Sequence, residues 1–147
     1  MQDITVKIIN TSGNALPEYA TPGAAGMDLR ANLSLPLSLK PMERKFVSTG
    51  LYLEIPAGYE GQVRPRSGLA IRQGLTCLNS PGTVDSDYRG EIKVILINLS
   101  GEEQVIHHGD RIAQIVFTKT EKALLEPSQE LSASVRGEGG FGHTGKN

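Results

Sequence analysis

Apolar and polar residues alternate with a period of two in several short segments of this chain. The longest alternating set covers residues 47–55, and shorter sets cover residues 4–9 and 112–117. Residues 92–99 are apolar at almost every position. Alternation is typical of strands with one buried face, and a short continuous apolar run is typical of a strand buried on both faces. The pattern therefore predicts a series of short strands.

Turn signals separate these segments. Proline or glycine occurs at positions 22–23, 56–58, 81–82 and 100–101, and both residues favour turns over regular structure. One short helix is predicted over residues 67–73, with Ser67 as the candidate N-cap. Many short strands with frequent turns indicate an all-β fold, either a sandwich or a barrel.

The C-terminal segment has a different composition. Residues 128–134 are polar, and five glycines fall within residues 136–145. Such a terminus is typical of a disordered tail. The same residues also fit an arm that closes over a ligand, with Arg136 and backbone N–H groups on phosphates and Phe141 stacked on a flat ring. The composition alone leaves both interpretations open.

Composition and charge narrow the function classes. The length of 147 residues suits one domain. Lys and Arg number 15 against 16 Asp and Glu, so no basic excess favours direct nucleic-acid binding. The single cysteine excludes an internal disulfide and a thiolate zinc site. The longest apolar run is far short of the ~20 residues that span a bilayer, and no leader is evident, so we expect no membrane contact and a cytoplasmic location.

Four polar fragments are candidates for chemistry. Arg66, Ser67 and Gly68 lie at the start of the predicted helix and suit a bound phosphate. An ordinary capped turn is the alternative interpretation, and these residues alone favour it. Asp85 and Asp87 lie two residues apart in a polar loop; on a β-like backbone they would point to one side, and one could take a proton from water. A solvated turn is the alternative interpretation.

The other two fragments contain Asp28 and Asn79. Asp28 stands in an otherwise apolar stretch, where a charge is costly unless it is paired or linked to a metal. Asn79 offers an amide with both donor and acceptor, which suits the edge of a nucleobase.

Together, five segments match a family pattern in order. They are residues 24–29 (AAGMDL), 65–68 (PRSG), 82–90 (GTVDSDYRG), 111–117 (RIAQIVF) and the glycine-rich segment 136–145. In these segments the chain resembles the trimeric dUTPases. The resemblance implies a distorted jelly-roll-like β fold with one short helix, a homotrimer with active sites shared between subunits, and dependence on Mg²⁺. It also implies hydrolysis of dUTP to dUMP and pyrophosphate, which keeps uracil out of DNA and supplies dUMP for thymidylate synthesis.

The resemblance assigns the reacting groups and the phosphate contacts. Asp85 would be the general base that activates the attacking water, and Asp28 would hold Mg²⁺ through a coordinated water. Gln114 would contact the α-phosphate and Arg136 the γ-phosphate. The predicted phosphate-binding residues at the helix start are Arg66, Ser67 and Gly68.

The resemblance also assigns the base and sugar contacts. Asn79 and the backbone of a hairpin at 78–84, including Thr83 and Val84, would read the uracil edge. Tyr88 would pack beneath the sugar and leave no room for a 2′-hydroxyl, and Lys93 lies at a further contact position. From the arm, Phe141 would cover the uracil, and Gly142, His143 and Thr144 are further predicted contacts with the substrate.

One departure is visible in the arm, where His143 replaces the serine that is usual in the family. Its charged form would favour a phosphate, so affinity for the γ-phosphate would depend on pH. The predicted division is a jelly-roll core over residues 1–127 and a flexible arm over residues 128–147 that closes over the active site of the trimer.

Three other functions fit parts of the sequence. A dCTP deaminase shares the fold, but it would use a glutamate where this loop has Asp85. A catalytically silent module that binds nucleotides or a partner would not need Asp28, Asp85 and Gln114 together. A purely structural jelly-roll protein would not need phosphate-type residues at separated sites. His107 and His108 are interpreted as turn residues, and Cys77 as a buried, inert thiol.

Overall fold

The computed structural model describes residues 3–146, which form ten strands and one short helix. In chain order these are β1 (Lys7–Asn10), β2 (Met27–Arg30), β3 (Leu37–Leu39), β4 (Arg44–Glu54), β5 (Tyr59–Arg64), α1 (Ser67–Gln73), β6 (Leu75–Cys77), β7 (Gly82–Val84), β8 (Glu91–Asn98), β9 (Gln104–Ile106) and β10 (Arg111–Lys119). The predicted all-β class is confirmed.

The strands form two four-stranded sheets and one small pair. The first sheet has the order β1-β4-β8-β6, the second has the order β2-β10-β5-β7, and β3 pairs with β9. Every pair is antiparallel. Buried apolar side chains from both sheets form one core, with Val47 and Leu96 from the first sheet and Leu29, Val63 and Ile115 from the second. Burial of these alternating faces holds the two sheets together.

The predicted strands correspond to the long central strands. Segments 47–55, 92–99 and 112–117 lie in β4, β8 and β10, except for Ile55 and Leu99, which follow the ends of β4 and β8. The alternating segment at residues 4–9 is only partly a strand, because β1 begins at Lys7. The prediction that β8 is buried on both faces is correct for Leu96 and Ile97, whereas Lys93 on the outer face is exposed.

Strand β4 is irregular opposite the start of β8. The pairing register shifts between Ser48 and Leu51, as in a β-bulge, which bends a strand and redirects its side chains. Thr49 Oγ1 donates to the carbonyl oxygen of Ile92 at 2.5 Å. Ser48 Oγ donates to the carboxylate of Glu91. The bulge therefore ties the middle of β4 to the first residues of β8.

The helix occurs where it was predicted, but its predicted cap is wrong. The N-cap is Arg66, with φ −101° and ψ 130°, and it makes no side-chain capping bond. The carbonyl of Arg66 already accepts from the N–H of Ala70 at 3.1 Å. Ser67 is therefore the first helical residue, and its hydroxyl does not cap the helix.

No strand or helix occurs over residues 120–146. The side chains of residues 121–138 are exposed, and the core and the apolar side chains packed against it lie between Val6 and Phe117. Within residues 3–146, no helix has both the length and the apolar character needed to cross a membrane.

Candidate active site

Asp28 is held between two arginines. Arg66 Nε donates to Asp28 Oδ1 at 2.8 Å, and Arg111 Nε lies 3.6 Å from Asp28 Oδ2. The side chains of Asp28 and Arg66 are 33% and 27% exposed, so the pair is largely removed from water. The sequence predicted that this carboxylate needs a partner, and the structure supplies two. We call these three residues the Asp28 cluster.

Strand β10 brings the Asp28 cluster together because it lies between β2 and β5. Gln114 on β10 is opposite Asp28 on β2 and Arg64 on β5. Arg66 lies two residues after the end of β5 and reaches past β10 to Asp28 on β2. Segments more than 80 residues apart in the chain thereby meet at one end of β10.

Gln114 crosses from β10 to the loop before the helix. Its Nε2 donates to the carbonyl of Pro65 at 3.0 Å. Its Oε1 lies over Gly26, only 2.6 Å from where a Cβ on that residue would stand. A side chain at position 26 would displace the amide, so the lack of one at Gly26 allows this position of Gln114.

Ser67 and Gly68 form the start of the helix beside this cluster. Ser67 is exposed and Gly68 is half-buried. The Arg72 guanidinium lies over Gly68, with its Nη2 at 2.5 Å from where a Cβ would stand. Arg66, Arg72 and Arg111 therefore surround the helix start with positive charge, which suits a phosphate.

Asp85 lines a second region, an open cleft of about 490 Å³. We call it the Asp85 cleft. Its lining residues come from β4, β7, β8 and the turn between the last two: Phe46, Tyr52, Thr83, Val84, Asp85, Tyr88, Glu91, Ile92 and Lys93. Lys93 Nζ lies 5.6 Å from the centre of the Phe46 ring, a cation–π geometry. Five predicted site residues thus share one cleft.

The backbone around Asp85 differs from the expectation. Val84 ends β7, and the N–H of Tyr88 donates to the carbonyl of Asp85 at 3.2 Å, so residues 85–88 form a turn. The β-like premise for Asp85 and Asp87 is therefore wrong, because the chain leaves the sheet after Val84. Asp85 lines the cleft, whereas Asp87 does not.

The hairpin predicted over residues 78–84 is also wrong. Strand β6 belongs to the first sheet and β7 to the second, so the loop at 78–81 crosses between sheets instead of joining paired strands. Asn79 is exposed in this loop, and its Nδ2 lies 3.1 Å from where a Cβ on Gly82 would stand. The bond between Ser80 and Pro81 is cis.

The C-terminal arm is folded only on itself. Arg136 Nε donates to the carbonyl of Gly139 at 2.6 Å, and the N–H of His143 donates to the carbonyl of Gly140 at 3.1 Å. Phe141, Gly142, His143 and Thr144 are exposed. In the described part of the chain, every hydrogen bond of residues 134–146 stays within that segment.

The predicted residues therefore form three separate groups in one chain. The Asp28 cluster with Gln114, Ser67 and Gly68 is one group, and the Asp85 cleft is the second. The cleft includes no residue of the Asp28 cluster. The arm is the third group, and it contacts neither of the others through a hydrogen bond among residues 3–146.

Sequence reasoning missed several neighbours of these groups. It gave no role to Arg111, to Arg72, or to Phe46 and Glu91 in the Asp85 cleft. Arg111 is the first residue of the family-pattern segment 111–117, and Arg72 lies four residues after Gly68, one helical turn away. Both positions could have been noticed in the sequence. Phe46 joins the cleft only through the pairing of β4 with β8.

Residues outside the site agree with their predicted roles. Cys77 is buried in β6, and burial raises the pKa of its thiol to about 11, which keeps it unreactive. His107 and His108 lie at the turn before β10. His108 Nδ1 accepts from the N–H of Leu33 at 3.2 Å. Among residues 3–146, no group of three or more His, Cys, Asp or Glu side chains could hold a metal ion.

Comparison with known proteins matches nearly the whole chain. The dUTPase family model matches residues 13–145. The deoxyuridine 5′-triphosphate nucleotidohydrolase of Fusobacterium nucleatum is 56% identical over 99% of this chain and all of its own length. The enzyme of the same name from Chlamydia pneumoniae is 58% identical over 91% of this chain and 93% of its own length.

Solved structures give the same result. A variant of the dUTPase of Staphylococcus bacteriophage 80alpha, solved with dUpNHpp, superposes with a TM-score of 0.83 and 26% identity over 96% of this chain and 98% of its own. A second variant of that dUTPase gives a TM-score of 0.85 and 25% identity over 95% of this chain and 98% of its own. These likenesses confirm the jelly-roll-like fold. The chain belongs to the dUTPase family and is an enzyme of the dUTP diphosphatase class.

Proposed function

We propose that this enzyme hydrolyses dUTP to dUMP and pyrophosphate by attack of water on the α-phosphate, with Asp85 as the base that activates the water. One observation carries the proposal. The carboxylate of Asp85 is exposed in a cleft that also holds Tyr88 and Lys93, and among residues 3–146 it accepts no hydrogen bond. A free carboxylate of this kind can take a proton from water.

The triphosphate is bound by the residues around the helix start. Arg66, Ser67 and Gly68 hold the phosphates there, and Gln114 contacts the α-phosphate. The positive charge of Arg66, Arg72 and Arg111 supports this assignment, because phosphoryl transfer depends mainly on positioning and charge neutralisation. The phage relative solved with dUpNHpp supports a triphosphate-type ligand.

The nucleoside is bound by the cleft and the loop before it. Asn79, Thr83 and Val84 read the uracil edge, Tyr88 packs beneath the deoxyribose, and Lys93 contacts the substrate. The side chains of Thr83 and Lys93 are exposed toward solvent, which supports their availability to a ligand. Rejection of dCTP follows from amide groups left without partners.

Mg²⁺ fits Asp28 only through a water molecule. The donor set is one carboxylate whose oxygens already face Arg66 and Arg111, which disfavours direct coordination. Mg²⁺ commonly keeps several waters and takes its other ligands from substrate phosphates, so a single carboxylate is sufficient. When bound, the ion supplies charge neutralisation on the triphosphate.

The complete active site forms between subunits of a homotrimer. The separation of the Asp28 cluster, the Asp85 cleft and the arm within one chain supports this arrangement. The exposed apolar side chains of Phe46 and Ile71, at 66% and 85%, also suit burial in an assembly.

The arm over residues 128–147 closes over the bound nucleotide. Arg136 reaches the γ-phosphate, and Phe141 covers the uracil, with Gly142, His143 and Thr144 beside the phosphates. Phe141 and the residues from Gly142 to Lys146 are exposed, which supports such a movement. The core over residues 1–127 folds without the arm.

The reaction keeps uracil out of DNA and supplies dUMP for thymidylate synthesis. We propose the cytoplasm as its location, where the free thiol of Cys77 remains reduced.

The test is pyrophosphate release from dUTP, dTTP, dCTP and UTP, with Mg²⁺ and with chelator. We expect release from dUTP alone, dependent on Mg²⁺ and lowered about 10²-fold or more in Asp85→Asn. Asp87→Asn is the matched control, because Asp87 is an exposed carboxylate of the same turn outside the cleft. It should retain the activity of the unchanged enzyme.

The other outcomes would contradict the proposed function or the role of Asp85. Ammonia release from dCTP would make the chain a deaminase. Binding of dUTP without turnover of any nucleotide would make it a silent module. Equal losses in Asp85→Asn and Asp87→Asn would remove Asp85 from its role as the base.

A further inference from the structure

The ring of Tyr88 lies directly on the backbone of Gly90. A Cβ added at Gly90 would stand 2.5 Å from Tyr88 Cζ and 2.9 Å from Cε2, and closer still to the hydroxyl oxygen. Real Cβ atoms do not approach other atoms so closely, so any side chain at position 90 would displace the ring. Only the absence of a side chain at this position permits the observed contact.

Tyr88 is held at both ends of the residue, at its backbone and at its hydroxyl. At one end, the N–H of Tyr88 donates to the carbonyl of Asp85 at 3.2 Å. At the other end, the Tyr88 hydroxyl donates to the carbonyl of Glu91 at 2.9 Å. The ring cannot move aside to accept a new neighbour without breaking the bond of its hydroxyl to Glu91.

The acceptor of the hydroxyl is itself held in place. Glu91 is the first residue of β8 and is opposite Tyr52 on β4. Its carboxylate accepts from Ser48 Oγ, next to the bulge of β4. The position of the ring is therefore set by the sheet and by the contact with Gly90.

We propose that Gly90 is a positioning residue for sugar selection. It lets the Tyr88 ring lie on the backbone and reach the Glu91 carbonyl, and this fixes the surface that excludes a 2′-hydroxyl. The inference rests on the proposed function, in which Tyr88 packs beneath the deoxyribose. Without the hydroxyl bond to Glu91, the ring takes several positions. A displacement of about 1 Å is enough to lose most of the discrimination between deoxyribose and ribose.

The experiment compares kcat/KM for dUTP and UTP in the full-length enzyme and in Gly90→Ala. We expect the dUTP to UTP ratio to fall about tenfold or more in the variant. Gly101→Ala is the matched control, because a Cβ there meets no atom within 4 Å. Its ratio should equal that of the unchanged enzyme.

A double-mutant cycle tests whether the effect acts through the ring. In a Tyr88→Ala background, Gly90→Ala should change the ratio by less than about twofold, because the ring is absent. If Gly90→Ala merely loosened the turn, it would lower the dUTP to UTP ratio equally in the enzyme with Tyr88 and in the Tyr88→Ala variant. Tyr88→Phe keeps the ring on Gly90 but removes the hydroxyl, and we expect the ratio to fall about threefold. If Gly90→Ala does not fold, Tyr88→Phe still tests the second half of the proposal, that the hydroxyl bond to Glu91 fixes the ring for sugar selection.

The outcomes separate this inference from the proposed function. If the unchanged enzyme does not prefer dUTP to UTP, or if Tyr88→Ala keeps the preference, the role of Tyr88 fails and the inference fails with it. If the preference depends on Tyr88 but the ratio in folded Gly90→Ala stays within about twofold or rises, only the role of Gly90 is overturned. An unchanged ratio in Tyr88→Phe overturns the anchoring by Glu91.

Discussion

Asp28 illustrates what a residue requires and what the fold supplies. A carboxylate in an apolar stretch needs a counter-charge, and that need is readable from the residue and its neighbours. Its actual partners, Arg66 and Arg111, are 38 and 83 positions away in the chain. The ion pair is also the reason why Asp28 suits an indirect role toward a metal ion.

Met42 is a residue whose backbone is strained. It is the third residue of the turn from Lys40 to Glu43, with φ +66°, a left-handed conformation that a side chain disfavours. Its side chain is 70% exposed. We expect Met42→Gly to raise the free energy of unfolding by about 0.5–1 kcal/mol.

Urea unfolding at one fixed protein concentration measures this change. Met42→Ala is the control, since it removes the exposed side chain but retains the Cβ, and it should have little effect. A lower stability in Met42→Gly would show that the turn tolerates the side chain without strain.

At the scale of elements, Asn98 joins three parts of the fold. It ends β8, and none of it is exposed. Its Nδ2 donates to the carbonyls of Leu39 in β3 and Glu102, at 2.8 and 2.7 Å, and its Oδ1 accepts from the N–H and the hydroxyl of Ser100. A buried amide with four partners orders the turn that leads to β9.

Asn98→Leu should therefore be strongly destabilising. The substitution keeps the volume but leaves buried backbone groups without partners, and we expect a loss of about 2–4 kcal/mol in the free energy of unfolding. Gln104→Leu is the control, because within residues 3–146 the side chain of Gln104 makes a single hydrogen bond, to Ser100 Oγ at 3.1 Å. It should cost less than about 1 kcal/mol. Equal losses from the two substitutions would contradict the role assigned to Asn98.

At the scale of the whole molecule, the C-terminal segment lies outside the folded core. The core and the side chains packed against it end at Phe117, and residues 121–138 are exposed. Among residues 128–146, no side chain belongs to the core or packs against it. The proposed contribution of the arm is to cover the bound nucleotide in the proposed trimer.

A chain that ends at Pro127 should fold and assemble but lose its activity. We expect its thermal midpoint and its mass in solution, three times that of one chain, to match those of the full-length enzyme. Hydrolysis of dUTP should fall about 10²-fold or more, because the nucleotide loses its cover. Light scattering and pyrophosphate release measure both properties.

A chain that lacks only Lys146 and Asn147 is the control and should stay active. Full activity in the chain that ends at Pro127 would exclude the arm from the site. Aggregation of that chain would show that the boundary at residue 127 is wrong.

Sequence reasoning succeeded where the signal is local. The alternation over 47–55 and the apolar run over 92–99 predicted β4 and β8, because the order of apolar and polar residues within a short segment indicates whether one or both faces of a strand are buried. It failed at the loop over 78–81 and at the turn after Val84. There the chain passes from one sheet to the other, and nothing in the local residues indicates which sheet a strand joins.

The candidate site shows the same division. Asp28, Arg66, Asp85 and Gln114 were identified from their segments, and their chemistry follows from residue type. The contacts of Arg111 with Asp28 and of Phe46 with Lys93 were not predicted. Each contact joins side chains on two strands that pair within one sheet, β10 with β2 and β4 with β8.

The sequence by itself determined the all-β class, the long strands, the short helix and the residue types that the chemistry needs. Tertiary structure alone decided the strand order, the two partners of Asp28, the separation of the Asp85 cleft from the Asp28 cluster, and the contact of Tyr88 with Gly90. The reason is physical. Period and residue type depend on neighbours a few positions away, whereas pairing, register and close approach depend on atoms that only folding brings together.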